Sequence, residues 1–338
     1  MEINRAKLGA AIIVRNNEKT ISETLESIIP VCSQIVVVDT GSYDKTPQIC
    51  TRLGAEVHFF KWVDDFATAR NYALSLLKTE WVLVIDSDEI LDHYNFLKHS
   101  NIKINEKAGG INVKIENYLD KEDLSNKSYH RYTRIFRNHK DIRFIGRIHE
   151  QISESIFNAG YDIIESEILI KHFGYQEVSQ DKVQRNQELL KREIEDSPDD
   201  PWKIYHLAAA EFAGKNFTES EAHFKQIFNS ELLSTEQQEI SKLRLSQIAL
   251  RNELFDEIMH WTDFISSDID REGFRKYIRG TAKLLAKDYK NASILFRSEE
   301  VVMSSLVNKE QLKKAYQILD YKLKGNSTIA VNKEVAIA

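Results

Sequence analysis

The chain has 338 residues, of which 42% are hydrophobic and 29% charged, with a net charge of −6. That length suits roughly two domains of a soluble globular protein, and the lack of a basic field argues against a nucleic-acid partner. Two cysteines, Cys32 and Cys50, in segments that read as α/β core or helix fit a reducing compartment; no run approaches the roughly 18 apolar residues of a membrane span and Met1 to Gly9 lacks a signal-peptide core, so the expected location is cytoplasmic, with peripheral membrane docking left open.

Strand and helix alternate through the first 90 residues. LGAAIIV at 8–14 reads as a buried strand, and Thr20 and Glu23 then have the spacing of a capping box ahead of the stripe Ile21, Leu25, Ile28 and Ile29. IVVVD at 35–39 is the second strand. Asp44 caps a short helix through Leu53 that Gly54 stops, and AEVHFF at 55–60 is the third strand. Asp64 or Asp65 opens a helix through Lys78, and WVLVI at 81–85 is the fourth. Strands separated by helices of these lengths imply a parallel, right-handed α/β sheet. Glycine-rich loops of the G-x-G-x-x-G or G-x-x-x-x-G-K-[ST] kind are missing from the sequence, so a nucleotide must be held by other groups. Further on, alternation in Thr133 to Arg137 sets Arg134 and Phe136 on one face and Ile135 and Arg137 on the other.

Beyond about Val178 the composition changes to helices without β-branched runs. SPDDP at 197–201 breaks the chain, and three similar segments follow at 207–224, 245–262 and 279–296. Their aromatic anchors Phe217, Phe255 and Tyr289 lie 38 and 34 residues apart, with small residues at Ala208, Ser246 and Gly280. A period near 34 is that of tetratricopeptide helix pairs, although Ile258 stands where a small residue is usual and Thr262 where an aromatic is. The repeats are therefore degenerate. The expected organisation is an α/β domain at 1–178, helical repeats at 179–325 and a loosely ordered tail at 326–338. Such repeats offer a groove for a polypeptide, or serve only as a stabilising or dimerising appendage through which the chain forms a homodimer.

Chemistry gathers at the strand ends. Strand one ends in Val14, Arg15 and Asn16, strand two in Asp39 and Gly41, and strand four in Asp86, Ser87 and Asp88, all on one edge of the sheet. A carboxylate there can accept from a ribose hydroxyl or a base imide, and Gly41 lets a ligand approach the backbone. Asp-x-Asp at a strand end suggests Mg²⁺ or Mn²⁺ bound with a diphosphate, against the alternative of a solvated acidic turn.

The series IIVRNNE, VVVDTGSYDKT, DDFATARNYAL and WVLVIDSDE resembles the nucleotide-binding half of the family 2 glycosyltransferases, which have the GT-A fold. The resemblance covers about residues 7–178. It implies that Asp39 contacts the uracil or ribose, Arg70 the base and Asp86 the ribose, with Asp88 on the metal that bridges the diphosphate. Val14, Arg15, Asn16, Gly41 and Ser87 would complete the nucleotide-sugar site. The R-x-F-R strand, an I-H-E turn and a later H-x-G-Y resemble a subgroup that includes the sublancin-type bacteriocin S-glycosyltransferases, in which His172 would complete the metal site and Glu150 would be the general base.

Each role has a rival. Arg70 reads equally as a surface helix charge paired with Asp64 or Asp65. His172 reads as a hydrogen-bonded packing residue, His149 as an orienting neighbour, and Glu150 as the first-turn carboxylate of an amphipathic helix at 151–159. Arg134 and Arg137 either pair with the acids of 117–123 or neutralise a departing diphosphate. The resemblance implies a metal-dependent, inverting transfer of a hexose from a nucleotide-diphospho-sugar, UDP-linked through the resemblance alone. The repeats point to a peptide or protein acceptor, with transfer to Cys or to Ser/Thr. The alternatives are a cell-envelope polysaccharide or lipid acceptor, a non-catalytic tetratricopeptide scaffold, and a phosphatase with an Asp-x-Asp nucleophile, whose motif would normally sit on a first strand.

Overall fold

The computed structural model describes residues 5–100, 105–118, 127–173 and 180–323; the expected tail at 326–338, the boundary at 178 and the acids of 117–123 lie outside the described residues. The chain divides into two compact units, Met1–Lys182 and Val183–Ala338.

In the first unit the aliphatic runs form strands β1 (Leu8–Val14), β2 (Gln34–Asp39), β3 (Glu56–Phe59) and β4 (Trp81–Val84). Helices α1 (Ile21–Ile28), α2 (Thr46–Arg52) and α3 (Phe66–Leu76) connect them. After β5 (Glu89–Leu91) and α4 (His93–His99) come three long strands, β6 (Ala108–Tyr118), β7 (Lys127–Arg137) and β8 (Asp162–His172), with α5 (Ser153–Asn158) before the last. Eight strands make one sheet in the order β3-β2-β1-β4-β7-β6-β8-β5. The half from β3 to β4 is parallel, as the alternation implies. The other half is mixed, because β7 runs antiparallel to both β4 and β6 while β8 runs parallel to β6 and antiparallel to β5.

Strands β1, β2 and β4 of the parallel half are buried on both faces, while β3 is an exposed edge. Ala10, Ile12, Val37 and Leu83 pack with the α1 stripe on one side, and Ala11, Val36, Val38, Val82 and Val84 pack with Ala67, Ala73 and Leu74 of α3 on the other. One expected detail fails: Thr20 makes no side-chain cap. The backbone has already closed the turn, since the Asn17 carbonyl accepts from the amides of Thr20 at 3.1 Å and Ile21 at 3.0 Å. Asp65, by contrast, caps α3 by accepting from the Thr68 amide at 2.8 Å.

In the second unit, α6 (Gln180–Asp196) precedes three helix pairs: α7 (Pro201–Ala213) with α8 (Phe217–Ile227), α9 (Thr235–Arg251) with α10 (Phe255–Trp261), and α11 (Ile269–Leu285) with α12 (Tyr289–Phe296). Helices α13 (Glu299–Met303) and α14 (Lys309–Leu323) follow. Each anchor, Phe217, Phe255 and Tyr289, is the first residue of a second helix. The turn before it repeats atom for atom: Lys215, Glu253 and Lys287 take positive φ of 64, 58 and 62°, and the next amide reaches back to the carbonyls of Glu211, Ala249 and Lys283 at 2.8, 2.9 and 2.8 Å. That is the Schellman closure of a helix, made here without glycine. The small residues have a packing cause, for a Cβ at Gly280 would stand 2.9 Å from the Phe296 ring. The departures are absorbed: Ile258 is fully buried, and the Thr262 carbonyl accepts from Arg275 Nη1 at 2.9 Å and Arg279 Nη1 at 3.1 Å.

Candidate active site

The tips of β1 and β2 are latched to each other by side chain to backbone bonds. Asn16, at φ 57°, donates its amide to Ser42 Oγ at 2.9 Å and accepts the Tyr43 amide on Oδ1 at 3.0 Å; Asn17 donates to Thr46 Oγ1 at 2.7 Å. Asp44 accepts from the amides of Thr46 at 2.9 Å and Glu18 at 3.1 Å, the turn chemistry its position suggests. The Asn16 backbone amide and Oδ1 thus serve the latch, and the Val14 carbonyl accepts both the amide and the hydroxyl of Thr40 at 3.0 Å. Arg15 is exposed. Asp39 is buried, with Oδ1 accepting the Ser42 amide at 3.0 Å. Beside it Gly41 has φ 110° and open space where a Cβ would be, so the β2 tip is a shelf that only glycine makes and that a ligand can approach.

At the end of β4 the alternation that sends Val82 and Val84 toward α3 sends Asp86 there too. Arg70 waits on the buried stripe of α3, between Ala67 and Ala73. It is not the surface charge its helix allows: Asp65 is used as a cap, Asp64 accepts from Trp62 Nε1 at 2.8 Å, and the Arg70 guanidinium lies under Phe144, donating Nη2 to Asp86 Oδ1 at 2.8 Å and Nε to Glu150. Arg134 closes the cluster by donating Nη2 to Asp86 Oδ2 at 3.0 Å and to Glu89 Oε1 at 2.7 Å. Its reach comes from a bulge: Ile135 pairs with Ile111 and Thr133 with Asn112, leaving Arg134 as the extra residue on β7. Burial would raise the Asp86 pKa, but the charges of Arg70 and Arg134 and their hydrogen bonds outweigh it and hold the carboxyl well below its usual range. Glu89 goes the other way. Burial, reinforced by the charge of Asp86, lifts it above the usual range despite Arg134.

Glu89 carries no role in the sequence reading although it ends the motif. Its Oε2 accepts the Asp86 amide at 2.9 Å, so the carboxylate folds back to brace the Asp86–Asp88 turn. Three residues after Asp86 the chain re-enters the sheet as β5, opposite β8, which pairs Glu89 with His172. The Phe173 amide donates to the Asp88 carbonyl at 3.2 Å, and His172 Nε2 comes to 3.7 Å from Asp88 Oδ1. A carboxylate and an imidazole converging on one point form a donor pair fit for a divalent cation, and the chemistry of the set therefore suits the expected metal. Burial alone would lower the His172 pKa, but the neighbouring carboxylates of Asp88, Glu89 and Asp86 raise it. Ser87 is buried between the two acids.

Arg137 does not join them. In the register of β4 and β7 it faces Trp81, at the start of β4, with its guanidinium over the Trp81 and Tyr161 rings and Nε donating to the Ala108 carbonyl at 2.8 Å. The face was legible but the end of the strand was not, and three residues at about 3.4 Å each put Arg137 roughly 10 Å along the strand from Arg134. Its expected part at the diphosphate is withdrawn. Glu150 precedes α5, which starts at Ser153, and serves as the second partner of Arg70.

A parallel sheet half with a ligand edge at its strand tips, continued by a mixed half that carries the second acid and its histidine, defines the GT-A class of domain. Residues 10–173 match the glycosyl transferase family 2 model, and this segment is a family 2 glycosyl transferase domain. The chain is similar to a TPR repeat-containing protein of Synechococcus elongatus, 30% identical over 211 residues covering 58% of this chain and 50% of that protein. It is also similar to the prophage-derived glycosyltransferase SunS of Bacillus subtilis, 26% identical over 204 residues covering 59% and 48%. The chain thus spans about half the length of the curated relatives it matches. Among solved structures, S. aureus TarS 1–349 superposes with a TM-score of 0.40 at 15% identity, covering 96% of this chain and 93% of that one.

Proposed function

We propose that the protein is a metal-dependent, inverting glycosyltransferase that moves a hexose from a nucleotide-diphospho-sugar, UDP-linked, to a peptide or protein acceptor in the cytoplasm. The observation that carries the proposal is the Asp88–His172 pair at the sheet edge, beside the Asp39–Gly41 shelf. Asp88 and His172 would hold the cation, with the imidazole favouring Mn²⁺ over Mg²⁺. No third His, Cys, Asp or Glu joins them among the described residues, so further positions fall to diphosphate oxygens and water. When bound, the cation supplies charge neutralisation for the leaving diphosphate. Asp39 receives the nucleoside. Arg70 and Arg134 fix Asp86 and thereby the turn that carries Asp88. An acceptor heteroatom attacks the anomeric carbon as the bond to the diphosphate oxygen breaks, and its proton passes to Glu150. A thiol acceptor, with an ordinary pKa of about 8.5, asks less of that base than a hydroxyl.

The helix pairs of the second unit support the polypeptide acceptor, because stacked pairs present surfaces suited to extended or helical peptides. The test is a stability panel of UDP-, GDP- and CMP-sugars with and without Mn²⁺, read with release of free nucleotide. Stabilisation by a UDP-sugar that needs Mn²⁺ and disappears in Asp88→Ala is the expected outcome. A protein that no donor stabilises in either condition overturns the reading.

A further inference from the structure

An imidazole can serve as a metal ligand only through a nitrogen that carries no hydrogen, and in the neutral ring the partner of the other nitrogen decides which one that is. In His172 the nitrogen aimed at Asp88 is Nε2. The other, Nδ1, lies 3.0 Å from Asn117 Oδ1. A carboxamide oxygen only accepts, so this contact requires Nδ1–H and leaves Nε2 with its lone pair toward Asp88. Asn117 is 2% exposed and is paired with His172 in the β6–β8 register. Nδ2 of the same amide stands 2.9 Å from His130 Nδ1 on β7, and it donates there when that nitrogen carries no hydrogen. Were the amide turned over, Nδ2 would face His172, the hydrogen would move to Nε2, and the ring would donate to Asp88 in place of sharing a cation with it.

We propose that Asn117, oriented by His130, is a positioning residue that holds His172 in the Nδ1–H tautomer and so sets its Nε2 as a divalent-cation ligand beside Asp88. Neither residue belongs to the motifs that mark the site. The inference rests on the Asp88–His172 cation site proposed above, and the experiment separates the two. Mn²⁺ binding to the full chain is measured by calorimetry and electron paramagnetic resonance in the presence of UDP, for the unaltered protein and for Asn117→Leu, Asn117→Asp, Asp88→Ala and His172→Gln. Asn117→Leu should weaken Mn²⁺ by about 10–100-fold while leaving metal-free UDP affinity unchanged; Asn117→Asp, which still accepts from Nδ1–H, should stay within about threefold of the unaltered protein. Nitrogen NMR of the metal-free, unaltered protein, at a pH where the His172 ring is neutral, should show Nδ1–H, a readout that needs no variant to fold. The inference falls if that spectrum shows Nε2–H, or if Asn117→Leu binds Mn²⁺ as the unaltered protein does while Asp88→Ala and His172→Gln do not. Full Mn²⁺ affinity in Asp88→Ala would sink the cation site itself, and the inference with it.

Discussion

Replacing Arg134 by methionine, which keeps most of the side-chain volume, tests whether the acid cluster is held by charge. One nitrogen, Nη2, serves both Glu89 at 2.7 Å and Asp86 at 3.0 Å. Asp86 retains Arg70 in the variant, but Glu89, 1% exposed, loses its arginine and keeps the Asp86 amide and the nearby His172. Removing one partner of a buried pair costs about 3–5 kcal/mol, and the surviving partner lowers that cost by taking a proton. We therefore expect a loss of about 3 kcal/mol at pH 7. The pH dependence follows from the raised pKa of Glu89. In the variant the folded protein binds this proton at a pH where the unfolded chain, with a carboxyl near 4.3, has released it; the stability that goes with protonation is complete below the unfolded value and is lost as pH rises through the folded one, at up to about 1.4 kcal/mol per pH unit. Both proteins share the raised pKa, but losing the Arg134 charge raises it further in the variant alone, so the deficit should shrink between pH 7 and pH 5. Glu89→Gln in the same chain should restore at least half of it at pH 7. Urea titrations read by hydrogen exchange in peptides of β4 and β7 report this unit apart from the helical one. A deficit below about 1 kcal/mol, or one equal at pH 5 and pH 7, would refute the reasoning.

Asp39→Ala should weaken metal-free UDP about tenfold by calorimetry, since its proposed partner is the nucleoside, and unchanged affinity would remove that role. Gly273→Ala should destabilise the helical unit by about 1–3 kcal/mol in a denaturant titration, because the new Cβ would sit 2.1 Å from the Glu300 carbonyl oxygen, a backbone atom that cannot swing aside; a neutral result would show that α13 gives way. Lys287→Gly should stabilise the same unit by up to about 1 kcal/mol, as φ 62° is free for glycine and strained for lysine, and a loss of stability would contradict the Schellman account. Burial, with the Asp39 charge behind it, pushes the Cys50 thiol up to about 12, and Cys32 is buried as well, so a thiol reagent at pH 8 should label neither until guanidinium unfolds the chain; stoichiometric labelling of Cys50 in the native protein would count against this burial.

Much of the fold could be read from periodicity because the local signal and the tertiary environment agree. The inner parallel strands β1, β2 and β4 are aliphatic on both faces, so their runs are uninterrupted, and the repeat anchors sit at one fixed place in a recurring turn. Arg70 also left a trace. Ala67, Arg70, Ala73 and Leu74 share one buried stripe, and a guanidinium on such a stripe must find carboxylates inside the protein. The capping box failed for the opposite reason. A two-residue spacing rule says nothing about backbone carbonyls that have already taken its amides: that of Asn17 takes the Thr20 amide and that of Thr20 takes the Glu23 amide.

The site residues that escaped the sequence are those whose roles depend on strand register. Alternation assigns Arg134 and Arg137 to faces, but their distance from the tip depends on which residue of β4 each one meets, and only the pairing of Trp81 with Arg137 fixes that. The bulge that swings Arg134 to Asp86 is a mismatch between two strands, visible in neither alone. Asn117, His130 and His172 lie on three strands in three sequence contexts, and what joins them is that β6 lies between β7 and β8. The first half of the proposed nucleotide site is made of consecutive residues at strand tips, which a motif can record. The proposed cation half is made of cross-strand neighbours, each of which looks alone like an ordinary polar residue of a half-buried strand. This division predicts where a motif search in similar chains goes wrong: it finds Asp39, Asp86 and Asp88 and passes over Glu89, Asn117 and His130, although the geometry of Asp88 and His172 depends on them.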